Sequence, residues 1–387
     1  MLSVKYLAVK ASFTLTILFV VLLFRASSPL RLEGYEHATL PPSAPIAFSD
    51  VTDNSTFGFP KIFLINLPTR FDLLDAATIQ AFLSGVQFEV FPAVETDMIK
   101  DKGMPPTRDK ERLKQTEKGC WRAHANIWSH MLRNDLPVAL IMEADVAWDI
   151  NVRTIMTKFH ENFTSLLQQL NSTQLPRIRK SRTSGNESVS NIFPDPEDPW
   201  HSKHWDILSV GHCTEDPRDH EHMIKYDDEH VPPGKDYYGQ TLGSERVVRK
   251  SGGIACTTAY AVSRSGAAKL LLRSATNLDL PVDLVIKQMT MTRDMIAYSV
   301  HPPIMAQWKY MPGIGMNLRG SNSDVQDIKD EVNDDDEKAW DTVYQTKSVW
   351  APGDFATKDF IEMAMHGAWN RIFEGERPPS QVTLESG

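Results

Sequence analysis

The chain has 387 residues and a formal charge of −9 at pH 7, but most of this charge lies in one segment. Eight acidic residues and one lysine occur between Asp324 and Glu337, so the remainder is nearly neutral. The absence of a basic stripe excludes nucleic acid as an expected partner, because phosphate backbones are bound mainly by clustered Lys and Arg. With 41% hydrophobic residues and nine Trp, the chain can form a large core, which excludes wholesale disorder.

The N-terminus is typical of a targeting segment. Two lysines precede an apolar run at residues 11–24, and an arginine closes it. This pattern predicts a signal anchor at residues 1–26 that crosses the membrane once, with a cleaved signal peptide as the alternative. Both interpretations place the remaining chain in the secretory lumen, on a Golgi or related membrane. Residues 27–60 are rich in Pro and Ser and predict a stem.

Glycosylation sequons and cysteine usage agree with a lumenal location. Sequons begin at Asn54, Asn162, Asn171 and Asn186. Three cysteines are too few for a disulfide-built scaffold. In an oxidising compartment we expect Cys213 to pair with Cys256, since both lie beside predicted strands of the same domain. Cys120, on the apolar face of a predicted helix, is interpreted as a small buried hydrophobe.

Regular structure is predicted from Lys61 onward. Apolar runs and helical spacing predict strands at 62–65, 87–94 and 138–142 and helices at 72–83 and 117–133. This β–α–β opening is typical of a mostly parallel central sheet flanked by helices, the α/β class.

The second half of the chain begins with a polar, Pro-containing insertion at about 171–204. Strands are then predicted at 206–211, 246–250, 254–262 and 296–300, and helices at 266–274 and 282–291. Ser263 is placed to cap the first of these helices. The predicted catalytic domain spans 61–320, and residues 321–387 contain the acidic run and a terminal helix near 358–373.

The strongest chemical signal is Glu143-Ala144-Asp145, directly after the fully apolar strand 138–142. Ligands of open α/β sheets bind outside the carboxyl ends of the strands. Two carboxylates at that position predict a site for a hard divalent cation, which in turn neutralises a diphosphate. A solvated pair of surface acids is the alternative.

Four segments carry a further pattern: Ile65-Asn66-Leu67 with Arg70 and Asp72, Gly119-Cys120 with His124, residues 139–146, and Ala259-Tyr260 with Ser263 and Gly266. In order and spacing these segments resemble glycosyltransferase family 25, which contains lipooligosaccharide and collagen galactosyltransferases. Fungal members with a lumenal domain and an N-terminal anchor are the most similar in character.

The resemblance implies a GT-A-like nucleotide-diphosphosugar transferase fold, a UDP-sugar donor, Mn²⁺ or Mg²⁺, and transfer with inversion to a glycan or glycoprotein acceptor. It implies Glu143 and Asp145 as metal ligands and places Arg70 and Asp72 near the nucleotide. Family members commonly carry Glu-Asp-Asp where this chain has Ala144 in the middle. A Pro-x-Asp match makes Asp283 the expected general base.

Several alternatives remain at this point. Arg70 and Asp72, like Asp283, also fit ordinary helix starts. His124 is more typical of a buried histidine that holds a loop, and His301 is a weaker candidate metal ligand. The chain could instead be a lumenal binding or scaffold protein that kept the fold without turnover, or a secreted glycoside hydrolase, which would need paired carboxylates flanking a sugar cleft.

Overall fold

The computed structural model describes residues 52–170, 195–231, 235–310, 340–341, 350–352 and 372. The predicted membrane anchor, most of the stem, most of the polar insertion, the acidic run and nearly all of the predicted terminal helix lie outside the described residues. Within the described residues, every helix is too short or too polar to cross a lipid bilayer.

The helices are α1 (Phe71–Ser84), α2 (Gln115–Arg133), α3 (Val152–Gln169), α4 (Arg264–Thr276) and α5 (Val282–Met291). The strands of the first half are β1 (Ile62–Asn66), β2 (Glu89–Pro92), β3 (Val138–Glu143) and β4 (Val146–Trp148). Those of the second half are β5 (Ile207–Gly211), β6 (Thr214–Glu215), β7 (Met223–Asp227), β8 (Asp236–Tyr237), β9 (Gln240–Thr241), β10 (Glu245–Lys250), β11 (Ile254–Ala255), β12 (Ala259–Ser263), β13 (Ala297–His301), β14 (Met305–Tyr310) and β15 (Trp350–Pro352).

An eight-stranded central sheet has the order β2-β1-β3-β12-β5-β13-β10-β7. Six of its strands run in one direction, and β12 and β10 run in the other. Strands β15, β14 and β4 form a smaller antiparallel sheet beside it. This arrangement confirms the α/β class with a large, mostly parallel sheet flanked by helices.

Two apolar layers cover the faces of the sheet. Leu140 and Met142 of β3 pack with α1 and α3 on one face, whereas Ala139 and Ile141 pack with α2, α4 and α5 on the other. Alternate side chains of a strand point to opposite faces, so a strand covered on both faces must be apolar throughout. This explains the uninterrupted apolar run that leads to Glu143.

The packed region begins before the predicted domain start at Lys61. Phe57 and Phe59, within the predicted stem, are buried in the core. Trp200, within the predicted insertion, stacks on Phe59 with a ring-centroid distance of 4.8 Å and donates through Nε1 to the Phe57 carbonyl (2.8 Å). Burial of these aromatic rings ties both segments to the core.

Two local predictions need correction. The expected strand at 254–262 is split into β11 and β12, because Cys256 lies between them in the left-handed region with φ of 68°. Helix α3 was not predicted, although Phe159, Phe163 and Leu166 form its buried face. Its Asn162 carries a sequon, yet the side chain is partly buried and donates to the Lys158 carbonyl (2.8 Å).

The predicted Ser263 cap is confirmed, since its Oγ accepts from the Gly266 amide.

Candidate active site at the carboxyl edge of the sheet

A cleft of about 150 Å³ opens where β1, β2 and β3 end. Its walls come from the ends of these strands, from one side of α2 and from Gln307 of β14. Glu143, Ala144 and Asp145 all line it, so the two predicted metal-binding carboxylates face the same cavity. The acidic lining residues are Glu95, Glu143 and Asp145, and none of the described lining residues is Lys or Arg.

Glu143 is held at the cleft by two side chains. Thr257 Oγ1 donates to Glu143 Oε1 (2.6 Å), and His124 Nε2 lies 3.2 Å from the same oxygen. Burial opposes ionisation of this carboxyl, but the hydrogen bond and charge of His124 and the Thr257 hydrogen bond together lower the pKa of Glu143. The side chain remains 26% exposed, so a carboxylate kept ionised still reaches the cavity.

The His124–Glu143 contact is the end of a longer chain of hydrogen bonds. Trp128 Nε1 donates to Tyr260 Oη (3.1 Å), which lies 3.0 Å from His124 Nδ1. An indole N–H can only donate, and an ionised carboxylate can only accept. His124 therefore donates from Nε2 to Glu143, and its Nδ1 shares a hydrogen bond with the Tyr260 hydroxyl. The expected buried, hydrogen-bonding histidine is confirmed, but the group it holds is the candidate metal ligand.

Asp145 is more deeply placed than Glu143. Its side chain is buried, and Gln307 Nε2 donates to Oδ2. The backbone carbonyl of Asp145 accepts from the Trp308 amide (2.9 Å). Strand β14 therefore fixes the position of the second acid.

Helix α2 approaches the cleft closely because Gly119 has no side chain. A Cβ at this position would lie 2.9 Å from the carbonyl oxygen of Val94. The next residue, Cys120, is half-buried and lines the cavity. Burial raises the pKa of its thiol well above the usual value, and nearby carboxylates act in the same direction, in decreasing order Glu143, Asp283, Asp145 and Glu117.

Arg70 and Asp72 lie beside the cleft. The guanidinium makes two parallel hydrogen bonds to the carboxylate, Nε to Oδ1 (2.9 Å) and Nη2 to Oδ2 (2.8 Å), and Tyr310 also donates to Oδ2 (3.1 Å). Burial works against ionisation of Asp72, but these partners lower its pKa overall. Neither residue of the pair lines the cavity, whereas Leu67 and Leu73 on either side of them do.

Asp283 lies in the first turn of α5, outside the lining of the cleft. Its Oδ2 accepts from the Cys256 amide (3.0 Å) and its Oδ1 from the Leu284 amide (2.8 Å). Cys256 forms the predicted disulfide with Cys213. The carboxylate is near enough for its charge to act on Cys120, and its role as a base stays a prediction.

His301 does not join this group. It ends β13, and its Nε2 lies 2.8 Å from the Asp236 carbonyl oxygen, outside the cleft lining. The residues that sequence reasoning missed are Thr257 and Gln307 as partners of the two acids, Tyr260 as the partner of His124, and Cys120 as part of the cavity wall. The spacing of Cys120 and His124, four residues apart on one helix, is the signal that could have identified the last of these.

Comparison with known proteins fits this geometry. The model of glycosyltransferase family 25, described as an LPS biosynthesis protein family, matches residues 59–286. The chain belongs to glycosyltransferase family 25. The matched region covers β1 to the middle of α5, and so includes Arg70, Asp72, Glu143, Asp145 and Asp283 but not His301.

Two curated galactosyltransferases show low similarity to the chain. Procollagen galactosyltransferase 1 of Danio rerio is 22% identical over 347 residues, which cover 82% of this chain and 48% of the relative. Procollagen galactosyltransferase 2 of Mus musculus is 24% identical over 165 residues, 39% of this chain and 26% of the relative.

A third relative is described as probably inactive. The probable inactive glycosyltransferase 25 family member 3 of Bos taurus is 22% identical over 297 residues, 71% of this chain and 39% of the relative. The chain thus spans between about a quarter and a half of the length of the curated relatives it matches.

Proposed function

We propose that this chain is a metal-dependent, inverting glycosyltransferase that transfers a sugar from a UDP-sugar to a glycan or glycoprotein acceptor. The observation that carries the proposal is that Glu143 and Asp145, at the end of a central strand, line one cleft at the carboxyl edge of the sheet. Galactose is the favoured sugar, because two of the relatives are named as galactosyltransferases.

The charge of the cleft favours a cation-dependent donor. A UDP-sugar brings a negatively charged diphosphate to a cavity whose described lining has three carboxylates and no Lys or Arg. Without a positive charge between them, the two anionic groups would repel each other. Glu143 and Asp145 provide oxygen ligands suited to Mn²⁺ or Mg²⁺. When bound, such an ion neutralises the diphosphate as it leaves.

The neighbours of the two acids serve to orient them before the donor binds. His124 and Thr257 hold one carboxylate, and Gln307 holds the other. Preorganised groups of this kind need little rearrangement during the reaction, which is how an enzyme stabilises developing charge efficiently. Oriented acids on a strand end are also more rigid than acids on a free loop.

Arg70 and Asp72 are proposed to lie next to the nucleotide. Their bidentate ion pair fixes the turn between β1 and α1, and the flanking Leu67 and Leu73 reach the cavity. We infer that the pair shapes the nucleotide end of the cleft through this turn.

Asp283 is the proposed general base. In an inverting transfer, an acceptor hydroxyl oxygen attacks the anomeric carbon as the bond to the UDP oxygen breaks, and the hydroxyl proton passes to the base. Both oxygens of Asp283 accept backbone N–H bonds, which hold the carboxylate in a fixed position. Its charge acts on Cys120 in the cleft wall, which supports a place near the donor.

The proposal includes a lumenal location in the Golgi or a related compartment, reached through the N-terminal segment. The Cys213–Cys256 disulfide supports an oxidising environment. The proposed organisation is an anchor at 1–26, a stem at 27–60, a catalytic domain at 61–320 and an acidic C-terminal segment at 321–387.

A non-catalytic binding or scaffold protein is the second candidate. Two observations favour it: Ala144 stands where family members commonly carry an acid, and one relative is described as probably inactive. Ala144 is buried and packs in a small apolar cluster with Leu73, Ala147 and Trp308, so an added acid there would be costly without a partner.

A screen of nucleotide sugars for metal-dependent hydrolysis tests the proposal without knowledge of the acceptor. We expect the full chain to hydrolyse a UDP-sugar in the presence of Mn²⁺, and we expect this hydrolysis to stop when a chelator is added. Glu143→Gln should abolish hydrolysis, whereas the exposed Glu229→Gln serves as a matched control and should leave it unchanged. Absence of hydrolysis with every UDP-sugar tested would favour the scaffold protein, and release of sugar from simple glycosides would favour a hydrolase.

A further inference from the structure

Three different ligand types meet at one corner of the cleft. Cys120 offers a sulfur, His124 an imidazole nitrogen and Glu143 a carboxylate oxygen, and these three atoms all lie within 4.8 Å of one another. Cys120 and His124 are one turn apart on α2, and Glu143 ends β3. Two rigid elements therefore bring the ligands together, and all three residues line the cavity.

The spacing is suited to a four-coordinate cation. His124 Nε2 and Glu143 Oε1 are 3.2 Å apart. Two ligands bound to one tetrahedral zinc ion with bonds of about 2.0 to 2.1 Å are about 3.3 Å apart. The sulfur can complete a set of three protein ligands, which leaves the fourth position open to the cleft for water.

The surrounding hydrogen bonds already orient two of the three ligands. Tyr260 Oη lies 3.0 Å from His124 Nδ1, which leaves Nε2 to face Glu143. Thr257 Oγ1 fixes the carboxylate. A partner on the second ring nitrogen is the usual means by which proteins orient a metal-binding histidine. The Tyr260 oxygen can accept from Nδ1 as readily as its hydroxyl can donate to it.

The type of ligand selects the cation. Mn²⁺ and Mg²⁺ prefer oxygen ligands, whereas a thiolate together with an imidazole selects zinc and similar ions. Asp145, the other acid of the cleft, is absent from this three-residue group and has oxygen as its only ligand atom. Glu143 is thus the one residue shared between the oxygen pair and the sulfur-containing group.

We propose that Cys120, His124 and Glu143 form a binding site for Zn²⁺ or another thiophilic divalent cation, and that its occupation excludes the Mn²⁺–nucleotide complex from Glu143. Binding would release the thiol proton and leave the His124 ring proton on Nδ1, which donates a hydrogen bond to the Tyr260 oxygen, so that Nε2 is free to bind the cation. The second part rests on the proposed function, because it assigns Glu143 to the cation of the donor. Zinc would then inhibit the enzyme by competing with the Mn²⁺–nucleotide complex for Glu143.

Cobalt spectroscopy isolates this site, because the chain has a single free thiol. Of its three cysteines, Cys213 and Cys256 are joined, so thiolate-to-cobalt charge-transfer absorption can come only from Cys120. Thiol titration first establishes that one reduced thiol is present per chain. We expect Co²⁺ to produce this absorption in the full-length protein and Zn²⁺ to abolish it.

Matched variants distinguish the site from surface binding. Cys120→Ser should lack the absorption and bind Zn²⁺ at least about 100-fold more weakly, since loss of even an orienting partner of a ligand costs about 10- to 100-fold. His222→Gln is the control, because Asp219, Glu221 and His222 form the other three-residue group among the described residues and are partly exposed. This control should leave cobalt absorption and zinc affinity unchanged. If Cys120→Ser does not fold, Cys120→Ala replaces it, and thermal unfolding checks both.

The competition is measured separately, as the effect of Zn²⁺ on binding of UDP with Mn²⁺. Zinc should weaken this binding in the wild type but not in Cys120→Ser. Absence of the cobalt absorption in the wild type, its retention in Cys120→Ser, or equal inhibition by zinc in both proteins would overturn the inference. Failure of UDP to bind with Mn²⁺ while the cobalt absorption is present would overturn the proposed function and the competition, and leave the cation site standing.

Discussion

His124 Nε2 lies 3.2 Å from Glu143 Oε1, and this contact links the buried face of α2 to the carboxyl end of the central strand β3. The carboxylate at the cleft is therefore supported from inside the core. Tyr260, which hydrogen-bonds to His124, comes from β12, the strand paired with β3 on the side opposite β1. The orientation of the candidate metal ligand thus depends on residues from α2 and β12 as well as on its own strand.

The first prediction concerns the pKa of Glu143. His124→Ala removes the hydrogen bond and the charge that lower this pKa. The Thr257 hydrogen bond is then the only one of these interactions left to offset the rise that burial causes. We expect the pKa of Glu143 to rise. Because a cation needs the ionised carboxylate, Mn²⁺ binding should be lost at a higher pH in the variant than in the wild type as pH falls. Calorimetric Mn²⁺ titrations over a pH series measure the shift.

The same change has a consequence for stability. A carboxyl whose folded pKa is lowered stabilises the fold above its ordinary pKa, and this contribution disappears as pH falls through the folded pKa. The free energy of unfolding of the wild type should therefore fall as pH drops through the folded pKa of Glu143. The His124→Ala variant should not show the same fall. His130→Ala, on the same helix but packed against Phe63 and Phe91, is the control. Identical pH profiles for wild type and His124→Ala would refute the coupling.

The second prediction compares two buried tyrosine hydroxyls. The Tyr260 hydroxyl forms hydrogen bonds, whereas the Tyr226 hydroxyl forms none with the described residues. Tyr260→Phe leaves Trp128 Nε1 and His124 Nδ1 without their partner, so we expect it to cost about 1 to 3 kcal/mol. Tyr226→Phe is the matched control, since the buried Tyr226 hydroxyl makes no hydrogen bond with the described residues and its removal should be neutral or stabilising. Urea unfolding of both variants measures the difference. Equal costs would show that the Tyr260 hydrogen bonds contribute nothing specific.

The third prediction concerns the close approach of α2 to the loop after β2. A Cβ at residue 119 would lie 2.9 Å from the Val94 carbonyl oxygen, so backbone must move in Gly119→Ala. We expect destabilisation by about 1 to 3 kcal/mol and weaker UDP binding, because the shift displaces the cleft wall. Gly103→Ala, where a Cβ meets nothing within 4 Å, should change neither property. A stable Gly119→Ala with unchanged UDP affinity would contradict the packing argument.

The fourth prediction compares two ion pairs. Arg246 Nε donates to Asp228 Oδ2 (2.7 Å) with both side chains 1% exposed, and the guanidinium also reaches the Pro302 carbonyl. Arg246→Met leaves the buried Asp228 carboxylate without its ion-pair partner, so we expect the free energy of unfolding to fall by about 3 to 5 kcal/mol. Lys61→Met breaks the exposed pair with Glu89 and should cost less than about 1 kcal/mol. Thermal unfolding of the two variants checks this order, and a reversed order would contradict it.

Much of this fold could be predicted from local patterns. The apolar run before Glu143, the Ser263 cap and helix α5 follow directly from side-chain periodicity and capping chemistry, and the structure has each of them. The disulfide between Cys213 and Cys256 follows from the small number of cysteines and their positions beside strands. Local sequence decides these features because each depends on residues within one or two turns, or on one pair.

The remainder of the site depends on contacts between distant segments. Thr257 is 114 residues from Glu143, and Gln307 is 162 residues from Asp145. Periodicity assigned Cys120 and His124 to a buried apolar face, which is correct for His124, whereas Cys120 is half-buried because this face borders the cleft at the strand end. Only the strand order, with β12 beside β3, brings Thr257 to Glu143.

The most direct test of the central claim is calorimetric titration of UDP into the full chain with and without Mn²⁺, in wild type, Glu143→Gln and Asp145→Asn. The proposed site predicts binding that requires Mn²⁺ and that weakens by more than about tenfold, or 1.4 kcal/mol, in each variant. The exposed Glu229→Gln should bind as the wild type does. UDP binding that is indifferent to Mn²⁺, or that is unchanged in both cleft variants, would contradict the claim that these two carboxylates hold the cation of the donor.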